Sequence, residues 1–420
     1  MTKAATDKKP PTEEDGRITD ADIERCRQQI GIAKYSPGLP YNLEASIDAF
    51  RHFAFSCGDD NPLWHDEAYA STTRWGTQIA PPMFFVSTGI SLAPKPDADT
   101  KALFRGLFKN VGKYYSGAAW TWWAPLQPGG RIYKEHTTAD VIVRDSSSFS
   151  GRRTVTEVYR HLYVSQTGIP LAQRDEEFVN AERGGSKTVS KHSDVKRQRY
   201  TPEDIAKIDA VYAAEELRGS QTRYWEDVEV GDCITPVAKG PLTMVETIAY
   251  HMGQGLSGYG IGPLRYNWKQ RQRMPAFFNT DKYGVFDVMQ RVHWDHERAQ
   301  DLGLPTSYDY GQMRANWLAH LVTNWMGDDG WLWKLDLQTR KFNFMGDTTI
   351  CSGTVSGKRE EDGRYLVDLE LHSVNQRGED TCPGHATVLL PTRAEPVLLP
   401  KPPEAQAKRA AEMARAVAGA

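Results

Sequence analysis

The chain repeats itself, and no other feature constrains its fold as much. Trp64 is followed by Asp66, Ala70 and Pro82, and His293 by Asp295, Ala299 and Gly311, at the same offsets of 2, 6 and 18 residues. Two later marks recur in the same order. Pro128-Gly129-Gly130 answers Met345-Gly346-Asp347 as the lead into a strand, and Gln166-Thr167-Gly168 answers Gln376-Arg377-Gly378 as a turn. One ancestral unit therefore occurs twice, with drift, in 420 residues. That length allows two or three domains that bury their own cores without disulfide staples.

Each copy reads as helix followed by antiparallel strands. In the first, a short helix starts near Asp20, and residues 44–57 place Ile47, Phe50, Phe53, Ala54 and Cys57 on one helical face. A second helical region over 66–92 is interrupted at Pro81-Pro82. Residues 131–144 and 153–164 are rich in Val, Ile, Thr and Tyr and read as strands, with another short strand over 169–179. The second copy gives a helical stretch at 243–252, a loop-rich insertion, a turn before His293, a helix around 312–325, and strands near 338–358 and 364–374. Between the copies, Gly184-Gly185, six Lys or Arg over 183–199, and Pro202 suit a solvated linker. The expected division is a tail over 1–17, a first domain over 18–182, a linker over 183–222, a second domain over 223–392 and a tail over 393–420.

Composition narrows the class. A net charge of −3 and 25% charged residues describe an ordinary globular chain without the basic surplus of a nucleic-acid binder. The five cysteines form no Cys-x-x-Cys pair, so no disulfide framework or thiolate zinc site is expected, and a reducing cytoplasm is the expected home. Residues 1–17 have no apolar core for a secretory signal, and the uncharged stretch 75–94 is broken by Pro81-Pro82 and Gly89, so no membrane span is expected. Twelve Trp and eighteen Tyr cluster at 114–123 and 331–333, as core or as groove lining.

Residues 58–66, GDDNPLWHD, and the EAYASTTRWGTQIAPPMF that follows resemble the signature Asp-x-Asn-Pro-Leu/Ile-His-x-Asp of the MaoC-like, or (R)-specific enoyl-CoA hydratase, family. RYWEDVEVGDCITPVAKGPLT (223–243) is similar to the family's domain opening, and VHWDHERAQDLGLPTSYDYGQM (292–313) to its His-x-Asp helix start and following loop. The resemblance covers about 20–180 and 223–392. It implies an α+β double hot dog, in which each unit is a long helix wrapped by an antiparallel sheet. The implied chemistry adds water to a trans-2-enoyl-CoA, or removes it from a 3-hydroxyacyl-CoA, with no cofactor beyond the CoA of the substrate. Such a site needs a carboxylate and an imidazole sharing one water, and backbone N–H donors for the thioester oxygen as it gains enolate charge.

In the family these parts are an Asp, a His five residues later and a Gly eighteen beyond the His. In the first half Asp59 matches, but Trp64 holds the His position and Pro82, which has no N–H, holds the Gly position. His65 is one residue out of register. Asp59 and Asn61 then read as turn or cap residues. In the second half His293 and Gly311 match, with Asp295 in support, but Val288 stands where the Asp should be. Asp287, one residue further back, is the expected carboxylate, and Asp309 an alternative. Asp59 and His65 remain the alternative pair of the first half. Tyr308, Tyr310 and Trp64 are expected to touch the acyl group, with Arg271 and Arg273 near the CoA phosphates. A metal at His293-Trp294-Asp295-His296 is not expected, because adjacent ligands on one turn point apart.

The expected activity is therefore that of a hydro-lyase, carried by the second half. The acyl group is expected to be bulky, branched or aromatic, and the assembly a homodimer. Two alternatives stay open: a hot-dog thioesterase, and a catalytically silent acyl-CoA binder or hydratase partner subunit. The silent binder becomes the favourite if Asp287 and Asp309 both lie away from His293.

Overall fold

The computed structural model describes residues 16–36, 38–147, 151–182, 195–255 and 261–419. The first half runs α1 (Asp20–Arg27), α2 (Ile47–Ser56), α3 (Pro62–His65), α4 (Glu67–Thr72), a 3-10 turn (Pro82–Ser87), β1 (Ile90–Ser91), α5 (Ala98–Phe104), β2 (Gly112–Trp122), β3 (Ile132–Arg144), β4 (Thr154–Ser165) and β5 (Pro170–Ala181). α6 (Pro202–Ala213) leads into the second: β6 (Cys233–Lys239), α7 (Met244–Gln254), α8 (Arg265–Arg273), β7 (Phe278–Thr280), β8 (Phe286–Val288), a 3-10 turn (Met289–His293), α9 (His296–Asp301), α10 (Gly311–Met326), β9 (Trp331–Gln338), β10 (Thr349–Glu361), β11 (Arg364–Asn375) and β12 (Gly384–Leu389). α11 (Glu404–Ala418) ends the described chain. The fold is the expected α+β double hot dog.

Ten strands form one sheet in the order β1-β3-β4-β5-β2-β9-β12-β11-β10-β6. Every neighbouring pair is antiparallel except β1 with β3. The halves join where β2 pairs with β9, from Gly117 opposite Gln338 to Thr121 opposite Lys334. The two aromatic runs of the sequence are these seam strands. Trp120 and Trp122 stack at 5.3 Å, and the Trp331 indole donates to the Trp122 carbonyl at 3.0 Å. Most of the tryptophans are thus core.

Gly117 is required at the seam. A Cβ there would lie 2.4 Å from the Leu337 carbonyl oxygen, a backbone atom that cannot move without opening the pairing. Gly117→Val is expected to destabilise the chain by about 1–3 kcal/mol, the usual range for overpacking. Urea unfolding checks this, and an unchanged midpoint would contradict it.

Among the described residues, the long hot-dog helix is found in the second half alone. α10 has 16 residues, of which Gln312 to Met326 are all buried. In the first half Pro81-Pro82 start only a 3-10 turn, ended after Ser87, whose hydroxyl donates back to the Phe84 carbonyl. A small apolar cleft beside this turn is lined by Trp64, Trp75, Pro82, Trp122, Met326 and Trp331.

α7 is inside out. Its buried residues are Gly253 and, at i, i+3, i+4 and i+7, Thr247, Tyr250, His251 and Gln254, while Val245, Ile248 and Met252 are exposed. It packs on α2 where Gly253 admits Ser56, whose Oγ would lie 1.9 Å from an added Cβ.

The spans read as linker and C-terminal tail differ from expectation. The span read as a linker contains α6, held at its start by the reciprocal Thr201 and Asp204 capping box, although residues 183–194 lie outside the described set. The span read as a C-terminal tail contains α11, whose Ala410 and Met413 pack with Trp123, Leu162 and Val164 of the first half. Alanine-rich sequence propagates a helix readily, and this one has a sheet surface to cover. Of the tail over 1–17, residues 1–15 lie outside the described set.

Candidate active site

The first-half motif folds into caps. Asn61 Oδ1 accepts from the Leu63 N–H at the start of α3, and Asp66 Oδ1 accepts from the Tyr69 N–H at the start of α4. Asp59 is buried, accepting from the Asn61 N–H at 3.1 Å and from the Trp64 indole at 3.0 Å. Trp64, in the His position, thus occupies the carboxylate through its indole N–H, while its ring lines the apolar cleft. His65 does not swing in. Its Nε2 donates to the Asp59 carbonyl at 2.7 Å, which uses the ring structurally. Asp59 and His65 therefore form no acid–base pair.

A second imidazole reaches this region from the other half. His320, in the middle of α10, accepts from Lys239 at 2.6 Å through Nδ1, and its Nε2 lies 3.1 Å from Glu215 and 4.0 Å from Asp59. Buried charges are tolerated when so paired, and this network ties the two halves together.

In the second half the same local plan recurs with different side chains. Asp295 caps α9 by accepting from the Arg298 N–H and pairs with Arg291 at 3.0 Å, as Asp66 caps α4. It supports the loop and makes no bond to His293. His293 Nδ1 lies 2.9 Å from the Tyr308 carbonyl, an acceptor, so that nitrogen carries the proton and Nε2 is the basic one. The ring stacks on Tyr310 at 3.7 Å and meets Tyr308 edge-on at 4.5 Å. Both tyrosines thus touch the candidate base. Burial lowers the His293 pKa to about 4, against the hydrogen bond to Tyr308, which raises it. The imidazole is neutral at pH 7, the state a general base requires.

Gly311 opens α10 directly after Tyr310. A Cβ at Gly311 would lie 2.5 Å from the Tyr115 ring, so β2 of the first half closes over this helix start. The dipole and unpaired N–H groups of a 16-residue helix begin here.

The carboxylates do not join His293. Asp287 accepts from the Trp294 indole at 3.2 Å and from the Val288 N–H at 2.7 Å. Asp309 is fully committed to Arg314, by two bonds of 2.8 and 2.6 Å in a pair buried on both sides. The structural reason is the same in each case: a strong local donor takes the carboxylate. In both halves the candidate Asp is held by an indole, Trp64 on Asp59 and Trp294 on Asp287.

One residue of this cluster escaped the sequence reading. His251 of α7 lies edge to face with Tyr310 at 4.7 Å and with Trp294 at 5.9 Å. Its signal was the polar face of α7 at helical spacing. Arg271 and Arg273 sit on α8, Arg271 over Phe286 at 4.3 Å and Arg273 donating to Gln270 at 2.8 Å. His296 is bonded to Thr306 and Ser307, and no cluster among the described residues has the ligands for a metal ion.

Residues 37–174 match the family model for the FAS1-like dehydratase domain region. A solved MaoC-like dehydratase aligns over 87% of this chain and 99% of its own, at 15% identity and a TM-score of 0.57. The chain has the double hot dog fold of that dehydratase. A MaoC domain protein dehydratase from Chloroflexus aurantiacus J-10-fl aligns over 86% of this chain and 95% of its own, at 11% identity and a TM-score of 0.51. At such identities the likeness is one of fold. No curated protein matches the chain by sequence. No helix among the described residues is long and apolar enough to cross a membrane.

Proposed function

We propose that this MaoC-like chain is an acyl-CoA hydratase or dehydratase whose working site lies in the second half. The observation that carries the reading is the oriented, neutral His293 beside the start of α10. Nδ1 is anchored on the Tyr308 carbonyl, which leaves Nε2 as the nitrogen to take a proton from water. The N–H groups at Gly311 then stabilise the thioester oxygen as charge develops on it. The first half contributes Tyr115 over the helix start. The reading keeps a bulky, branched or aromatic acyl group as the substrate, on the Trp and Tyr clusters of the sequence. The α8 sequence RYNWKQRQR has four cations and no acid, and supplies a surface for the CoA phosphates. The reading needs no cofactor and sets the protein in the cytoplasm as a homodimer, with the exposed Val245, Ile248 and Met252 as the apolar face available to a second copy.

The test is turnover of short-chain, branched and aryl trans-2-enoyl-CoA esters, with enoyl absorbance and free thiol followed together. Loss of absorbance without thiol supports the hydratase. Thiol release supports the thioesterase. The silent-binder reading is favoured by one observation, that neither Asp287 nor Asp309 is bonded to His293, and absence of turnover with retained acyl-CoA binding would select it.

The pH profile is a second check. A His293 pKa near 4 means that protonation silences the base only in acid. The rate constant kcat/KM is expected to stay level from pH 8 to about 5.5 and to fall toward pH 4. A midpoint at about 6.5, the ordinary imidazole value, would contradict the buried geometry.

A further inference from the structure

We propose that His251 is the second catalytic imidazole of this site, binding the reacting water together with His293. The inference rests on the hydratase reading above. His251 is 6% exposed, yet neither Nδ1 nor Nε2 has a hydrogen-bond partner among the described residues. A buried polar group left unpaired is costly, so a ring with both nitrogens open at a site calls for solvent or substrate there. The ring and that of His293 flank one phenol, Tyr310, at 4.7 and 3.7 Å between centroids. The α7 helix turns its polar side inward to put His251 there, leaving Val245, Ile248 and Met252 outside. Neither nearby carboxylate fills the role, since Trp294 holds Asp287 and Arg314 holds Asp309.

The step balances without a further reactant. Water gives one proton to Nε2 of His293 as its oxygen bonds to the β-carbon. The π pair moves toward the α-carbon and thioester oxygen, and the α-carbon then takes the proton from His293. The second water hydrogen stays on oxygen, hydrogen-bonded to His251, which ends the step in its starting protonation state. Burial lowers the His251 pKa to about 4, so the ring is a neutral acceptor at pH 7.

The experiment compares wild type, His251→Leu, His251→Gln, His293→Ala and the His251→Leu/His293→Ala double variant on the best enoyl-CoA ester, with melting curves as the control for folding. His251→Leu is expected to lower kcat roughly 100-fold. His251→Gln, whose amide oxygen can accept from water, is expected to recover about tenfold of that loss. Because both rings act on one water, the double variant is expected to fall no more than about twofold below His293→Ala. A folded His251→Leu with kcat within threefold of wild type would overturn the proposal, as would losses that multiply in the double variant. Should His251→Leu not fold, His251→Gln at the wild-type rate would overturn it equally. Wild type inactive on every ester would overturn the hydratase reading and this inference together.

Discussion

Replacing His293 by alanine is expected to abolish hydration, with kcat down by about 10³-fold or more and the melting temperature little changed. The imidazole is held in a fixed orientation, with Nε2 as its basic nitrogen. Its Nδ1 is fixed by the Tyr308 carbonyl at 2.9 Å, and its flat face by Tyr310 at 3.7 Å. Loss of general base catalysis accounts for roughly 10²–10⁴ in rate, and loss of the stacked ring adds disorder in the water. Rates of the purified variant with enoyl-CoA, beside calorimetric melting, check this. A variant within tenfold of wild type would move the chemistry elsewhere. His65→Ala, by contrast, removes only a donor to the Asp59 carbonyl and is expected to act on stability.

The largest effect on stability is expected at Arg314. Its guanidinium makes two bonds to Asp309 and reaches the Lys341 and Thr381 carbonyls at 2.6 and 3.0 Å. Both members of the ion pair are essentially inaccessible to water. Arg314→Met leaves the Asp309 carboxylate buried without a cation, which costs about 3–5 kcal/mol. Urea unfolding at pH 7 measures it, and a loss under about 1 kcal/mol would show that Asp309 is not held as an ion. Adding Asp309→Asn to Arg314→Met is expected to restore part of the stability, since the stranded charge is then gone. The pair also anchors the first turns of α10 to the loops at Lys341 and Thr381, so activity should fall with stability. That links a buried salt bridge to the position of the Gly311 N–H.

The parts of the fold legible in the sequence were those with a local chemical reason. The offsets from Trp64 and His293 exposed the duplication, and the structure puts capped helix starts at Asp66 and Asp295 in matching places. The strands β3, β4 and β5 followed from Val, Ile, Thr and Tyr content, and α10 from its apolar period after Gly311. The seam was not legible as strand. Gly117-Ala118-Ala119 in β2 have weak strand propensity, and only pairing with β9 makes them one. α6 and α11 were lost to composition, since an alanine-rich or proline-flanked stretch looks the same free in solvent or packed on a sheet.

The site was legible in part for the same reason. His293 and Gly311 stood at motif spacing. Which donor would take Asp287 or Asp309 was not, because Trp294 and Arg314 act through side-chain geometry that spacing does not encode. His251 lies more than forty residues before His293, on an insertion-flanking helix that reverses the usual amphipathic sense. Periodicity alone assigns its apolar side to the core. Only the packing of α7 against α2, through Gly253 and Ser56, shows the opposite.

The most direct measurement is hydration of a trans-2-enoyl-CoA in oxygen-18 water, with mass spectrometry of the thioester product. The expected result is an intact CoA ester carrying one heavy oxygen in a new 3-hydroxyl group, formed by wild type and not by His293→Ala. Label in a released carboxylic acid with free CoA, or label at carbon 3 formed equally well by His293→Ala, would contradict the account.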